Sequence, residues 1–144
     1  MTMESKNELI LTLARRENLV YSQITDEYVL NYHKRLKTDM MSEKCDDVII
    51  AGFVSSNGHK YRMNRDDQVN MMGQKDELFF DESIDKVYWR TEDVGYIEHT
   101  RDEWIQKVYR EAYNHKKTNL FKYNELKTKI DNAKTHEEIV SITW

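Results

Sequence analysis

The sequence predicts an α+β fold: long N-terminal helices, two β-hairpins forming a small antiparallel sheet, a middle helix, and a long C-terminal helix packed on that sheet. Three observations carry this. The chain has no proline and only four glycines, so it has few forced breaks and long helices are permitted. Two stretches, "GFVSSNGHKYRMN" and "DKVYWRTEDVGYIEHT", alternate apolar and polar residues around turn signals. From Thr100 onward runs the strongest helical periodicity, Trp104, Ile105, Val108, Tyr109, Ala112 and Tyr113, then Leu120, Tyr123, Leu126 and Ile130.

At the N-terminal end Leu9, Ile10, Leu13, Val20, Tyr21 and Ile24 recur near helical spacing, with Arg15, Arg16 and Glu17 between them. This is a short amphipathic helix. A second periodic stretch carries Tyr28, Val29, Tyr32, Leu36 and Met40, then resumes through Met41, Cys45, Val48 and Ile49 with its stripe rotated about the axis. Such a helix is expected to change partner midway, one half lying on its own domain and the other on another chain.

Asn57-Gly58 suits a two-residue hairpin in which both central positions take positive φ. Asn64 then reads as a helix N-cap, with Asp66 and Asp67 in the first turn facing the positive end of the dipole. Val69, Met72 and Phe79 are expected to point from that helix into the core. In the second hairpin Val87 and Trp89 alternate against Tyr88 and Arg90, with Gly95 relieving the turn. Thr100 and Glu103 make a capping box that starts the long helix, and "THEE" at Thr135 repeats the pattern before a short terminal helix. Ile139, Ile142 and Trp144 are expected to fold back onto the sheet.

Composition narrows the function classes. Apolar residues make up 39% and charged residues 33%, against roughly 45–50% and 25% in typical soluble proteins. The core is therefore small, and a borrowed surface is favoured over self-sufficient burial. A formal charge of −4, with 22 basic and 26 acidic residues interspersed, supplies no basic field, which argues against a nucleic-acid partner. Cys45 is the single cysteine, so neither an intrachain disulfide nor a cysteine-rich zinc site can form. The start lacks a basic head followed by a long apolar run, and the longest apolar block, "VIIAGFV", is too short to span a bilayer. Synthesis as a soluble protein with no membrane partner is expected.

The polar cluster "NGHKYRMNRDDQVNM" invites a catalytic reading, and the spacing argues against it. Asp66 and Asp67 are adjacent, so on a helix they diverge by about 100° and neither share a proton nor clamp a metal easily; capping explains them better. Gln68 and Asn70 suit the holding of neighbouring backbone. His33, His59, His99, His115 and His136 fall on different predicted elements without metal-ligand spacing. His99, four residues before Glu103, suits a surface or capping role. Cys45 on an apolar stripe acts as a small hydrophobe, and glycine-rich phosphate loops are missing. No catalytic, cofactor-binding or metal residue is expected, and the chain reads as a non-enzyme. Tyr88, Trp89, Tyr96, Trp104, Tyr109, Tyr113, Tyr123 and Trp144 crowd the second half, mostly as core, though surplus Tyr and Trp also anchor interfaces.

The succession "AGFVSSNGHKYRMNRDDQVNM", "VYWRTEDVGYIEHTRDEWI" and "HKKTNLFKYNELKTKIDNAKTHEEIVSITW" resembles a domain of unknown function from tail-fibre and baseplate genes of tailed phages and prophages of Gram-positive bacteria, the XkdW-like proteins among them. The likeness runs from about Tyr28 to Trp144, with Asn57-Gly58, Tyr61, Asp67-Gln68, Asn70, Trp89, Glu92-Asp93, Gly95, Thr100, Leu126-Lys127 and Ile142 as landmarks. It implies an XkdW-like phage tail-associated α+β domain over residues 25–144, preceded by a helical docking arm over residues 1–24. The implied role is a non-enzymatic structural protein of the virion tail, bound to baseplate or tail-fibre proteins and present as a homo-oligomer or in several copies. The alternative is a tail-fibre assembly chaperone absent from the mature virion. Leu9, Ile10, Leu13, Val20, Tyr21, Tyr28, Tyr32 and Leu36 are the expected partner-binding residues; the family brings no catalytic residues and no cofactor.

Overall fold

The computed structural model describes residues 3–144, with side chains from Glu8 onward except that of Tyr21. The order is α1 (Met3–Glu17), a 3-10 turn (Tyr21–Gln23), α2 (Asp26–Ile50), β1 (Phe53–Val54), β2 (Lys60–Tyr61), α3 (Arg65–Phe80), β3 (Lys86–Thr91), β4 (Gly95–Thr100), α4 (Arg101–Glu103), a π-helical turn (Trp104–Tyr109), α5 (Arg110–Asn132) and α6 (His136–Ser141). Trp104 and Arg110 are both right-handed helical, so α4, the π turn and α5 run on as one rod. The fold is α+β: five helices and two two-stranded antiparallel sheets among the described residues.

The hairpins correct the sequence reading in two places. They form separate sheets, β1 with β2 and β3 with β4, where one sheet was expected; Glu92 N–H donates to the Lys60 carbonyl at 2.7 Å between them. The pairing Val54↔Lys60 also makes the first loop residues 55–59, longer than a two-residue turn. Only Gly58 in it has positive φ, +89°, and Asn57 does not. The Asn57 side chain is engaged in tertiary bonds described below, and these set the loop geometry. The second hairpin follows expectation, in register from Lys86↔Thr100 to Thr91↔Gly95, with Gly95 at φ +78°.

The helix N-caps are as read, but neither capping box expected at Thr100 and Thr135 closes. Asn64 Oδ1 accepts from Asp67 N–H at 2.8 Å and Asp67 Oδ2 accepts from Asn64 N–H at 3.1 Å, a reciprocal capping box. Thr100 and Thr135 accept from the amides of Glu103 and Glu138. The Glu103 carboxylate, however, accepts from Asn57 Nδ2 at 3.3 Å, and Glu138 accepts from Lys134 N–H at 2.8 Å.

The chain divides into two units, one combining residues 1–44 with 123–144 and the other covering residues 45–122. In the first, Leu13, Val29 and Tyr32 form one buried cluster, and Met41, Leu126 and Ile130 form another. Ile142 and Trp144 pack against this second, helical cluster, not on a sheet as expected. Branched and aromatic side chains at a chain end bury wherever an apolar surface is nearest, and α2 with α5 supplies it.

In the second unit the buried residues include Tyr61, Met63, Met71, Leu78, Val87, Trp104, Val108 and Ala112. From α3 it is Met71 and Leu78 that go inward; Val69, Met72 and Phe79, the expected core residues, are exposed. Positions 71 and 72, like 78 and 79, are neighbours about 100° apart, so the helix offered two apolar stripes and periodicity alone could not choose. α2 buries Val29 and Tyr32 early and Met41, Cys45 and Ile49 later, both halves against this chain and not one of them against another as expected, while Leu36 and Met40 of its first stripe are exposed.

Candidate functional site

Two constellations stand out in residues 45–122, one polar and closed, the other apolar and open. The polar one starts at the β1–β2 loop. Glu111 accepts from Ser56 N–H at 2.8 Å, Ser56 Oγ at 2.9 Å and Ser55 Oγ at 3.0 Å. Burial pushes its carboxyl upward, but the bonds from Ser56 and Ser55 outweigh that and hold it below its ordinary value. Asn57 Oδ1 accepts from His59 N–H at 2.9 Å, and its Nδ2 donates to Tyr61 Oη at 2.8 Å.

Tyr61 Oη meets His99 Nε2 at 2.8 Å. His99 Nδ1 faces the Ile97 carbonyl at 3.1 Å; a carbonyl only accepts, so Nδ1 carries a proton, and in the Nδ1–H tautomer the phenol donates to Nε2. His99 therefore pairs with Tyr61 in the interior, not at the surface or a cap as expected, and Asn57 bridges Tyr61 to Glu103. Burial raises the Tyr61 phenol, although the Asn57 bond opposes it. Both rings are excluded from solvent, so the network is a framework that ties loop, strand and helix together. At its edge Asp93 takes His59 Nδ1 at 3.0 Å and Lys60 N–H at 3.1 Å. The His59 bond is the main cause that brings its carboxyl down to about 2.

The apolar constellation is a groove of about 460 Å³ between α3, the π turn and α5. Met71, Met72, Tyr109, Tyr113, Leu120 and Phe121 supply its apolar walls, and Lys75, Lys116 and Lys117 stand around it with no carboxylate in the lining. The walls are wide open: Met72 is 56%, Tyr113 57% and Phe121 61% exposed. Lys117 Nζ lies 5.9 Å from the Tyr113 ring centroid and 5.8 Å from that of Phe121, and Lys75 Nζ lies 5.6 Å from that of Tyr109. Gln68 holds the floor, donating to the Met63 carbonyl at 2.9 Å and accepting from Lys116 Nζ at 2.6 Å. This is the backbone-holding role its sequence position suggests.

Beyond the groove, α3 ends in Phe79 and Phe80, 79% and 84% exposed and packed edge to face at 5.7 Å. The Arg101 guanidinium fixes this end by donating to the carbonyls of Leu78, Asp81 and Ile84. A second, polar cleft of about 520 Å³ lies between α3 and the β3–β4 hairpin, lined by Arg62, Asp67, Asn70, Glu77, Arg90 and Glu92 among others. Its charges are of both signs and partly cancel, as in the Arg62–Asp67 ion pair at 3.3 Å.

Of the residues expected to bind a partner, Leu13 and Tyr32 are buried, and Leu9, Ile10 and Tyr28 pack against them in the first unit. The structure thus brings these five together with one another. Val20 and Leu36 are exposed, and the Tyr21 side chain lies outside the described residues. Cys45 is buried with its thiol directed at the Asn119 carbonyl, 3.5 Å away, and burial raises its pKa. His33 and His136, far apart in sequence, meet with their Nδ1 atoms 2.8 Å apart and rings stacked at 5.0 Å. Spacing within the chain carries no sign of that pair. The groove left a weak signal, the second apolar stripe of α3.

Among the described residues no group of three or more His, Cys, Asp and Glu side chains is placed to hold a metal ion. No helix among them is long and apolar enough to cross a membrane. A family model for a domain of unknown function, DUF4376, matches residues 32–143. Neither a curated protein nor a solved structure matches the chain.

Proposed function

We propose that this chain, which belongs to the DUF4376 family of domains of unknown function, is a non-enzymatic structural component of a phage tail. In this reading it is attached at the baseplate or tail fibre and acts through protein–protein contacts. The observation that carries it is the exposed aromatic groove of α3 and α5 with Phe79 and Phe80 beside it. Large apolar side chains gathered on one exposed face cost solvation and are what docking surfaces are made of. The likeness of the residue landmarks to XkdW-like proteins supplies the tail context.

The framework around Tyr61 and His99 supports the same reading, since it orders the loop and helices without offering a reactive atom to solvent. In the tail, that rigidity would present the groove in one geometry and so limit the ordering cost of assembly. The partners would be neighbouring tail proteins, with no role for nucleic acid or membrane.

Mass spectrometry of purified particles, set against lysates of the same infected or induced cells, tests this. Stoichiometric recovery in particles is the expected result. Recovery from lysate but not from particles would replace the structural role with that of an assembly chaperone, and recovery of the chain with bacterial proteins alone would end the tail reading.

A further inference from the structure

We infer that the groove and the Phe79–Phe80 pair are two halves of one self-complementary contact, through which two copies of this chain form a two-fold dimer. The inference names the occupant of the surface on which the tail reading rests, and it stands or falls by a separate measurement.

Charge complementarity is the first support. The aromatic pair sits in "DELFFDE"; Asp76 is paired with Lys75 of the same copy at 3.3 Å, which leaves Glu77 before the pair and Asp81 and Glu82 after it as the acidic surround. The groove carries Lys75, Lys116 and Lys117 and no carboxylate. An acidic aromatic knob and a cationic aromatic groove therefore occur on the same molecule. Lys117, which lies over two rings of the groove, is placed to meet a carboxylate arriving with a phenyl ring.

Position is the second support. Phe79 stands one turn beyond Lys75 and two turns beyond Met72, on the face of α3 that lines the groove. A knob and a groove on one face, offset along one helix, satisfy each other reciprocally when a second copy is laid antiparallel across it. That is the requirement of an isologous, closed contact. Each Phe79 then reaches the Met72 region of the other copy, and both grooves are filled at once.

Size is the third. Phe79, Phe80, Tyr113 and Phe121 are all more than half exposed, and at roughly 150–250 Å² per aromatic side chain they offer on the order of 500 Å² per copy. Met72 and Leu120 add to this. A standard interface buries about 800 Å² per partner. The Arg101 bonds that hold the end of α3 keep the knob from having to be ordered on binding.

The experiment is sedimentation equilibrium of the full chain, wild type beside Phe79→Asp, which spoils the knob, and Met72→Asp, which spoils the groove. Both residues are exposed, and circular dichroism checks that each variant folds. The expected result is a wild-type dimer, weakened at least about 30-fold in dissociation constant by either change, with partial recovery when the two variants are mixed, because one intact knob then meets one intact groove. Added salt should weaken the wild-type dimer.

A wild-type chain that stays monomeric at its highest soluble concentration overturns the inference. So does a dimer indifferent to both substitutions, or two monomeric variants that show no recovery on mixing. None of these outcomes touches the tail reading, which is decided on particles.

Discussion

The Tyr61 hydroxyl donates to His99 Nε2 across 2.8 Å, with both side chains excluded from solvent. Each member has a second bond, Asn57 Nδ2 to the phenol oxygen and His99 Nδ1–H to the Ile97 carbonyl. The phenol oxygen is the partner of His99 Nε2, so removing it strands that buried nitrogen, while Asn57 Nδ2 keeps its bond to Glu103.

Tyr61→Phe makes that removal with little change of shape. It should cost about 1–3 kcal/mol, the usual penalty for stranding buried polar groups. A urea titration followed by tryptophan fluorescence reads it. An unchanged midpoint would show that the network holds nothing together.

Gly52 and Gly58 give a paired test of backbone fit. Both have positive φ, +86° and +89°, so alanine at either pays about 1–2 kcal/mol for the left-handed region. At Gly58 an added Cβ meets nothing within 4 Å, whereas at Gly52 it runs into the Tyr61 carbonyl oxygen of the paired strand. Gly52→Ala should therefore lower the urea midpoint more than Gly58→Ala. Equal effects would mean that the approach of Gly52 to β2 is loose in solution.

A pH test concerns His33. Burial, then the nearby charge of His136, lowers its pKa from the ordinary value of 6.5. A group depressed in the folded state favours folding fully above its unfolded pKa, and the contribution is lost as pH falls through the folded value. Acidification below 6.5 should therefore loosen the packing of α6 near α2 in the first unit. Amide exchange over His136–Ser141 should speed up there, and the imidazole signal of His33 should titrate below 6.5. Titration at or above 6.5 would contradict the burial of the pair.

Local rules were legible where the interacting atoms are close in sequence. Asn64, Thr100 and Thr135 each cap a helix through an amide three residues on, and the pairing of β3 with β4 is set by a short turn at Gly95. The period of the long C-terminal helix was readable for the same reason, although the π turn at Trp104–Tyr109 within it was not. Gln68 could be assigned to holding backbone because its acceptor, Met63, is nearby.

What the sequence by itself determined is the α+β class, the caps, the second hairpin and the shortage of apolar residues that makes an outside partner attractive. Only the tertiary structure decided which stripe of α3 is covered, that Glu111 and Tyr61 organise the loop around Asn57, and that His33 meets His136. The reason is physical. A cap or turn is chosen by atoms within a few residues, whereas two apolar stripes about 100° apart on one helix have nearly equal claims to burial until other elements arrive. Covering Met71 and Leu78 left Met72 and Phe79 in water, and that outcome created the surface through which this protein is proposed to act.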